Sequence, residues 1–140
     1  MFTPKKTKYR KFHKILNDGV ATKANTVDFG VYGLVVTENV KITSNQLEAI
    51  RKVVSRAMKR SGILYMRHFP HLPVTKKPLA VRMGGGKGGV EFYVAAIKRG
   101  AVLLELKNVS EDVAMEAMSK VSYKLPIPCK FVKRRFVYSN

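Results

Sequence analysis

The stretch Arg82–Ile97, RMGGGKGGVEFYVAAI, decides between two kinds of protein. Gly84, Gly86 and Gly89 satisfy G-x-G-x-x-G. That spacing makes a dinucleotide site only where the loop follows a strand and opens a helix whose N-terminus receives the pyrophosphate. Here the residues after the loop alternate, with Val90, Phe92, Val94 and Ala96 on one face, and are rich in β-branched and aromatic types, which predicts a strand. The G-x-x-x-x-G-K-[ST] phosphate loop fails as well, because Gly88 follows Lys87 where the magnesium-binding hydroxyl belongs. What remains is a basic finger: glycines let a backbone pass close to phosphates, and Arg82 and Lys87 supply charge-assisted donors.

Outward from the loop, AVLLEL after Lys98-Arg99-Gly100 predicts a partner strand for VEFYVAAI, joined to it as a β-hairpin. Upstream, Ile63–Phe69 suits a strand, and prolines 70, 73 and 78 predict an extended connection into the loop. Thr43 followed by Gln46 is a capping box and Gly62 a helix stop, so a helix is predicted over 44–61. Its core stripe is Leu47, Ile50, Val54, Ala57 and Met58, and Lys52, Arg56 and Lys59 line the far side, without a nearby acid to pair with them. Val27–Ile42 predicts one or two strands, with a bulge or close backbone approach at Gly30 and Gly33. Ser110 caps a second predicted helix over 111–124, whose Glu111, Asp112 and Glu116 make an acidic side turned away from an anionic partner. A basic strand, KFVKRRFVY, closes the chain. The expected class is α+β: a two-layer sandwich of a mostly antiparallel sheet with two helices on one face. One domain is expected over 1–140, with a basic arm over 1–26, a core over 27–138 and the loop over 76–90.

Charge indicates the partner. Against 27 Lys and Arg stand 9 Asp and Glu in 140 residues, a formal charge of +18 that repels itself unless an anion compensates it. Nucleic acid fits this excess. The segment MFTPKKTKYRKFHK holds Lys5, Lys6, Lys8, Arg10, Lys11 and Lys14 with no acid, among Phe2, Tyr9 and Phe12, whose rings suit stacking on bases. It has no evident core face, so its charge is expected to stay spread until phosphates neutralise it. Lys52, Arg56 and Lys59 are assigned to phosphate contact. Cys129 is the sole cysteine, so no disulfide framework is possible within the chain. Between Pro128 and Lys130 it carries no nucleophile signature, although a Cys129–histidine pair stays open. His68 and His71 flank Pro70, which argues against the helical spacing a metal pair needs; neither metal nor cofactor is expected. No apolar run approaches the roughly 20 residues of a membrane span, so no membrane partner is expected, and no targeting segment is evident.

TPKKTKYRKFHK and PLAVRMGGGKGGVEF together resemble the bacterial-type large-subunit ribosomal protein sixteen family. Pro4 to His13 match the family's P-K-[KR]-T-K-[FY]-R-K-x-[HQ] run, and Arg82 to Gly88 match R-M-G-x-[GR]-K-G. LPIPCKFV resembles its closing strand, and the likeness covers nearly the whole chain. Tyr65 and Tyr93 stand where members usually carry tryptophan, and Ile63 and His68 also depart from the pattern. The resemblance implies a non-catalytic constituent of the large ribosomal subunit, bound to its RNA and to neighbouring ribosomal proteins near the peptidyl-transferase region. It implies that Lys5, Lys6, Lys8, Tyr9, Arg10, Lys11, His13 and Lys14 lie in an arm on ribosomal RNA. The tRNA-proximal loop would comprise Lys76, Lys77, Arg82, Met83, Gly84, Gly85, Gly86, Lys87 and Gly88; some members hydroxylate the arginine matching Arg82. The expected location is the cytoplasmic ribosome of a bacterium, or a ribosome inside a mitochondrion or plastid. The alternatives are a DNA-architectural or other basic nucleic-acid-binding protein outside the ribosome and, behind it, a nucleotide-binding enzyme using the glycine loop.

Overall fold

The computed structural model describes residues 2–135. In chain order these form β1 (Tyr32–Val36), β2 (Val40–Thr43), α1 (Ser44–Ala57), β3 (Ile63–Met66), β4 (Leu72–Lys76), β5 (Gly89–Ile97), β6 (Val102–Lys107), α2 (Glu111–Ser122) and β7 (Cys129–Lys133). The class is α+β, as expected, but the strands divide between two antiparallel sheets, ordered β3-β6-β1-β7 and β2-β5-β4. The two helices pack on each other. α1 also touches β2 and β5 of one sheet and β3 of the other, while α2 lies on β1 and β7. Leu47, Ile50 and Val54 of α1 and Ala117, Met118 and Val121 of α2 meet Leu34, Ile42, Leu104 and Leu106 in a single core.

The predicted hairpin through Lys98-Arg99-Gly100 does not form. β5 pairs with β2 and β4, and β6 with β1 and β3. Each is an interior strand of its own sheet, so neither has a free edge for the other. The corner is pinned instead to the end of β1, where the Gly100 N–H donates to the Val36 carbonyl and the Val36 N–H to the Ala101 carbonyl. Interior placement explains the composition of β6, whose residues Val102–Leu106 are all buried.

The face Val90-Phe92-Val94-Ala96 is not the one that meets the helices. Across the ladder Ala95 pairs with Ile42 and Ile97 with Val40, and these four belong to the core. Val94, opposite Leu72, lies on the reverse face; it is buried, while Phe92 stays 37% exposed. Residues 12–15 of the arm lie over that reverse face. Covering a sheet on both sides favours a short continuous apolar run, and VAAI is one.

The prolines before the loop do not form a plain connection. β4 is a strand with Pro73 opposite Tyr93, tolerated because β4 is the edge of its sheet. The capping box at Thr43 and Gln46 is present. α1 ends at Ala57 rather than near 61, because Lys59 and Arg60 adopt φ of +51° and +64°, outside any right-handed helix. Ser110 occupies the N-cap of α2, yet its hydroxyl makes no capping bond. The bulge expected at Gly30 or Gly33 falls between Leu34 and Val35. Close approach does hold at Gly30, where a Cβ would lie 2.5 Å from the Leu106 carbonyl oxygen. The predicted closing strand begins one residue early, at Cys129, and runs to Lys133; its last residues, from 136, lie outside the described residues.

Candidate nucleic-acid interface

Among its described residues the arm contains no helix or extended strand, but it is tied to the body. Asn17 donates through Nδ2 to the carbonyls of Val40 and Ile97, both at 3.0 Å, which anchors it across β2 and β5. Lys41 donates to the Ile15 carbonyl at 2.8 Å, and the Ala21 N–H to Arg99 O at 3.0 Å. Two of the three arm aromatics are half-buried: Phe2 meets Phe69 edge-on at 6.5 Å, and Phe12 lines a cleft over β4 and β5. Tyr9 is the exposed one, with the Lys8 ammonium 5.5 Å from its ring centre. Lys5, Lys6, Lys8, Arg10, Lys11, His13 and Lys14 are exposed around it. The backbone is therefore held while these cations face water.

Arm and glycine loop are joined reciprocally. Lys11 Nζ donates to the Lys87 carbonyl at 2.8 Å, and Lys87 Nζ donates back to the carbonyl of Phe12. Within the loop Lys77 donates to the Gly84 carbonyl at 2.7 Å, and Lys76 pairs with Glu91 at 3.6 Å. Gly84, Gly85 and Gly86 take φ of +97°, +71° and +86°, with open space where side chains would stand. Such backbone favours glycine for its dihedrals. Gly88 differs, since a Cβ there would lie 2.6 Å from the Lys76 carbonyl oxygen at the base of the loop. Between base and tip, Arg82 and Met83 are exposed, and Arg82 has no hydrogen bond or ion pair among the described residues.

The third basic surface lies on α1. Arg51, Lys52, Ser55, Arg56, Lys59 and Arg60 line an open groove of about 420 Å³. Lys59 reaches it from beyond the helix end, not as a third rung on the helix. A nearby acid does exist: Glu48 lies one turn before Lys52 and binds Arg51 at 2.6 Å. That pair neutralises Arg51 and leaves Lys52, Arg56, Lys59 and Arg60 to the groove. Arg60 escaped sequence reasoning because only the left-handed turn brings it to this side.

A profile for ribosomal protein L16p/L10e matches residues 4–132. The chain belongs to that family. It is 49% identical over 134 residues to a protein of Stenotrophomonas maltophilia, and 48% to one of Mycoplasma capricolum. Each alignment covers 96% of this chain and 98% of the relative. A protein of Xylella fastidiosa is 50% identical over the same length. All three are named large ribosomal subunit protein uL16. The matched region of this ribosomal protein spans arm, loop and α1 groove alike.

One arginine of this L16p/L10e chain is committed elsewhere. Arg67, just after β3, donates through Nη1 to the fully buried Glu105 of β6 and to Thr26 O at 3.0 Å, and through Nη2 to Asp28 at 3.1 Å. Its guanidinium lies 4.9 Å from the centre of the Phe29 ring, which stacks on Tyr65 at 5.6 Å. Glu105 also accepts the N–H groups of Gly30 and Phe29 at 2.7 Å and of Asp28 at 3.3 Å. Burial alone would raise the Glu105 pKa. The Gly30 N–H, Arg67 and the other two N–H groups outweigh it and hold the carboxyl below its usual range. Cys129 is the reverse case: burial pushes its thiol up to about 11, so it is no thiolate at neutral pH. His68 is half-buried and lowered by burial, whereas His71 is exposed and donates from Nδ1 to the Phe69 carbonyl.

Proposed function

We propose that this chain is a structural constituent of the large ribosomal subunit. It binds subunit RNA through Lys5, Lys6, Lys8, Tyr9, Arg10, Lys11, His13 and Lys14 of the arm and through Lys52, Arg56 and Lys59 at α1. It extends Arg82, Met83 and the glycines toward tRNA. The observation that carries this reading is membership of a ribosomal protein family across residues 4–132, a match that includes all three basic surfaces. The bacterial relatives support a bacterial-type ribosome as its location.

The geometry supports a division of work. Arm and α1 groove present cations on backbone already held in place, so RNA binding costs little further ordering there. Lys87 spends one bond on the arm, but an ammonium has three donors and retains capacity for phosphate. Lys76 and Lys77 brace the loop, which leaves Arg82 as its freest cation. Membership of a ribosomal protein family supports a structural role for this arrangement, the positioning of RNA.

Salt titration tests the proposal. Log affinity for structured large-subunit RNA is expected to fall with log salt by about 0.7–0.9 per neutralised phosphate. Replacing Lys52, Arg56 and Lys59 together by Gln is expected to weaken binding and flatten the slope, while the melting temperature stays near that of the parent. A flat parental slope, or equal affinity for duplex DNA at matched salt, would overturn the reading.

A further inference from the structure

The acidic side expected of α2 is confined to its first two turns. Toward its C-terminus the helix closes a groove against α1, of about 450 Å³, lined by Val53, Arg56, Ala57, Lys120, Tyr123 and Lys124. Val53 and Ala57 pack against the main core and make an apolar floor. Tyr123, the C-cap residue of α2, is 84% exposed at the edge of this floor. Around it stand three cations. The carboxylate at hand, Glu116, is taken by Lys120 at 2.5 Å, while Arg56 and Lys124 have no ion pair among the described residues.

We infer that this groove between the helices holds an unpaired RNA nucleotide, its base stacked on Tyr123 and its flanking phosphates at Arg56 and Lys124. The inference rests on the RNA-binding reading and extends it to a second face of α1. An aromatic face beside cations over an apolar floor is the combination that binds single-stranded nucleic acid, since every base has a π-face and each phosphate a charge. Base-paired RNA does not satisfy it, because a base within a helix is already stacked. A protein segment fits less well, because the edge of the groove presents cations without free acceptors. Arg56 faces both the α1 groove and this one, so a strand could run from one to the other past a single guanidinium.

Backbone amide shifts of the full chain titrated with a single-stranded uridine hexanucleotide test this inference. The amides of Val53, Arg56, Ala57, Lys120, Tyr123 and Lys124 are expected to shift saturably. Tyr123→Ala should raise the dissociation constant read from these peaks by about 5- to 150-fold, the span of one base–aromatic stack, and Tyr123→Phe by less than about 2-fold. Tyr123 is exposed, so both variants should melt with the parent. Shifts confined to the arm and the outer face of α1 would overturn the groove site and leave general RNA binding standing. The same follows if a duplex of matched length moves the groove peaks equally, or if Tyr123→Ala binds like the parent. No shift anywhere, with structured RNA also unbound, would overturn both readings.

Discussion

Arg67 and Arg82 flank the edge strand β4 in the chain and have opposite fates. The side chain of Arg67 is 12% exposed and held by Glu105, Asp28 and a carbonyl; Arg82 is exposed with no intramolecular bond among the described residues. In charge and side-chain chemistry the two are identical. The difference is made by β6, which brings a carboxylate under Arg67, whereas no described acid forms an ion pair with Arg82 beside the glycines. The count of 27 Lys and Arg therefore overstates what is available to RNA, because some cations are spent on the fold. The same distinction separates Arg51, paired to Glu48, from Lys52 beside it.

The largest effect is expected where the committed arginine loses its partner. Glu105→Gln leaves Arg67 short of its buried counter-charge and weakens acceptance from three backbone N–H groups, which costs about 3–5 kcal/mol in urea unfolding. A loss under about 1 kcal/mol would mean that Arg67 is not structural and the contrast with Arg82 is false. The pH dependence gives a second check. The Glu105 pKa is lowered on folding, so its stabilisation is full above the unfolded value near 4.5 and is lost as pH falls through the folded value. The parent should therefore lose stability on acidification below about pH 4.5 more steeply than Glu105→Gln.

A smaller effect distinguishes the base of the loop from its tip. Gly88→Ala puts a methyl against the Lys76 carbonyl and is expected to cost about 1–3 kcal/mol, since backbone must shift. Gly85→Ala meets open space and suffers only its φ of +71°, about 1 kcal/mol, less if the tip relaxes. Thermal melts of both variants check the order. Equal costs would show that base and tip are one rigid unit.

The local signals were legible because each is short-range. The capping box, the strand after the glycines and the apolar stripe of α1 depend on residues within a few positions of one another. Pairing was not. VEFYVAAI and AVLLEL look like a hairpin because a turn joins them, and only the whole set of strands shows that each already has two neighbours. The reach of α1 was not legible either: Gly62 is a stop signal, while the chain leaves the helix earlier through Lys59 and Arg60, residues that rarely adopt positive φ. Glu105 reads as the polar member of an otherwise apolar run, a signal that could have pointed to a buried partner, but nothing in the sequence names Arg67. At the interface, cations could be identified but not sorted. Whether a lysine holds a phosphate or a carbonyl of its own chain depends on what the fold sets beside it, as the bonds of Lys41, Lys77 and Lys87 show.

The smallest effect on the fold is expected at Arg82, and there the contrast is sharpest. Arg82→Ala removes no internal bond, so its unfolding free energy should stay within about 0.5 kcal/mol of the parent. If the loop lies against tRNA, the loss appears elsewhere: one guanidinium on phosphate or base is worth about 1–3 kcal/mol as a charge-assisted contact. If the arm and α1 groove supply the larger share of RNA affinity, as proposed, subunits reconstituted with the variant should incorporate it normally. The deficit should show in tRNA binding or in peptide-bond formation with full-length tRNA, by about 5- to 150-fold if the contact forms in the rate-limiting state. Reconstitution of subunits lacking this protein, scored separately for incorporation and for peptide-bond formation, separates the outcomes. An incorporation defect would mean that Arg82 serves the subunit's own RNA and not tRNA. Parental behaviour in both assays would mean that the open arginine is idle and that freedom from intramolecular partners does not mark a functional cation in this chain.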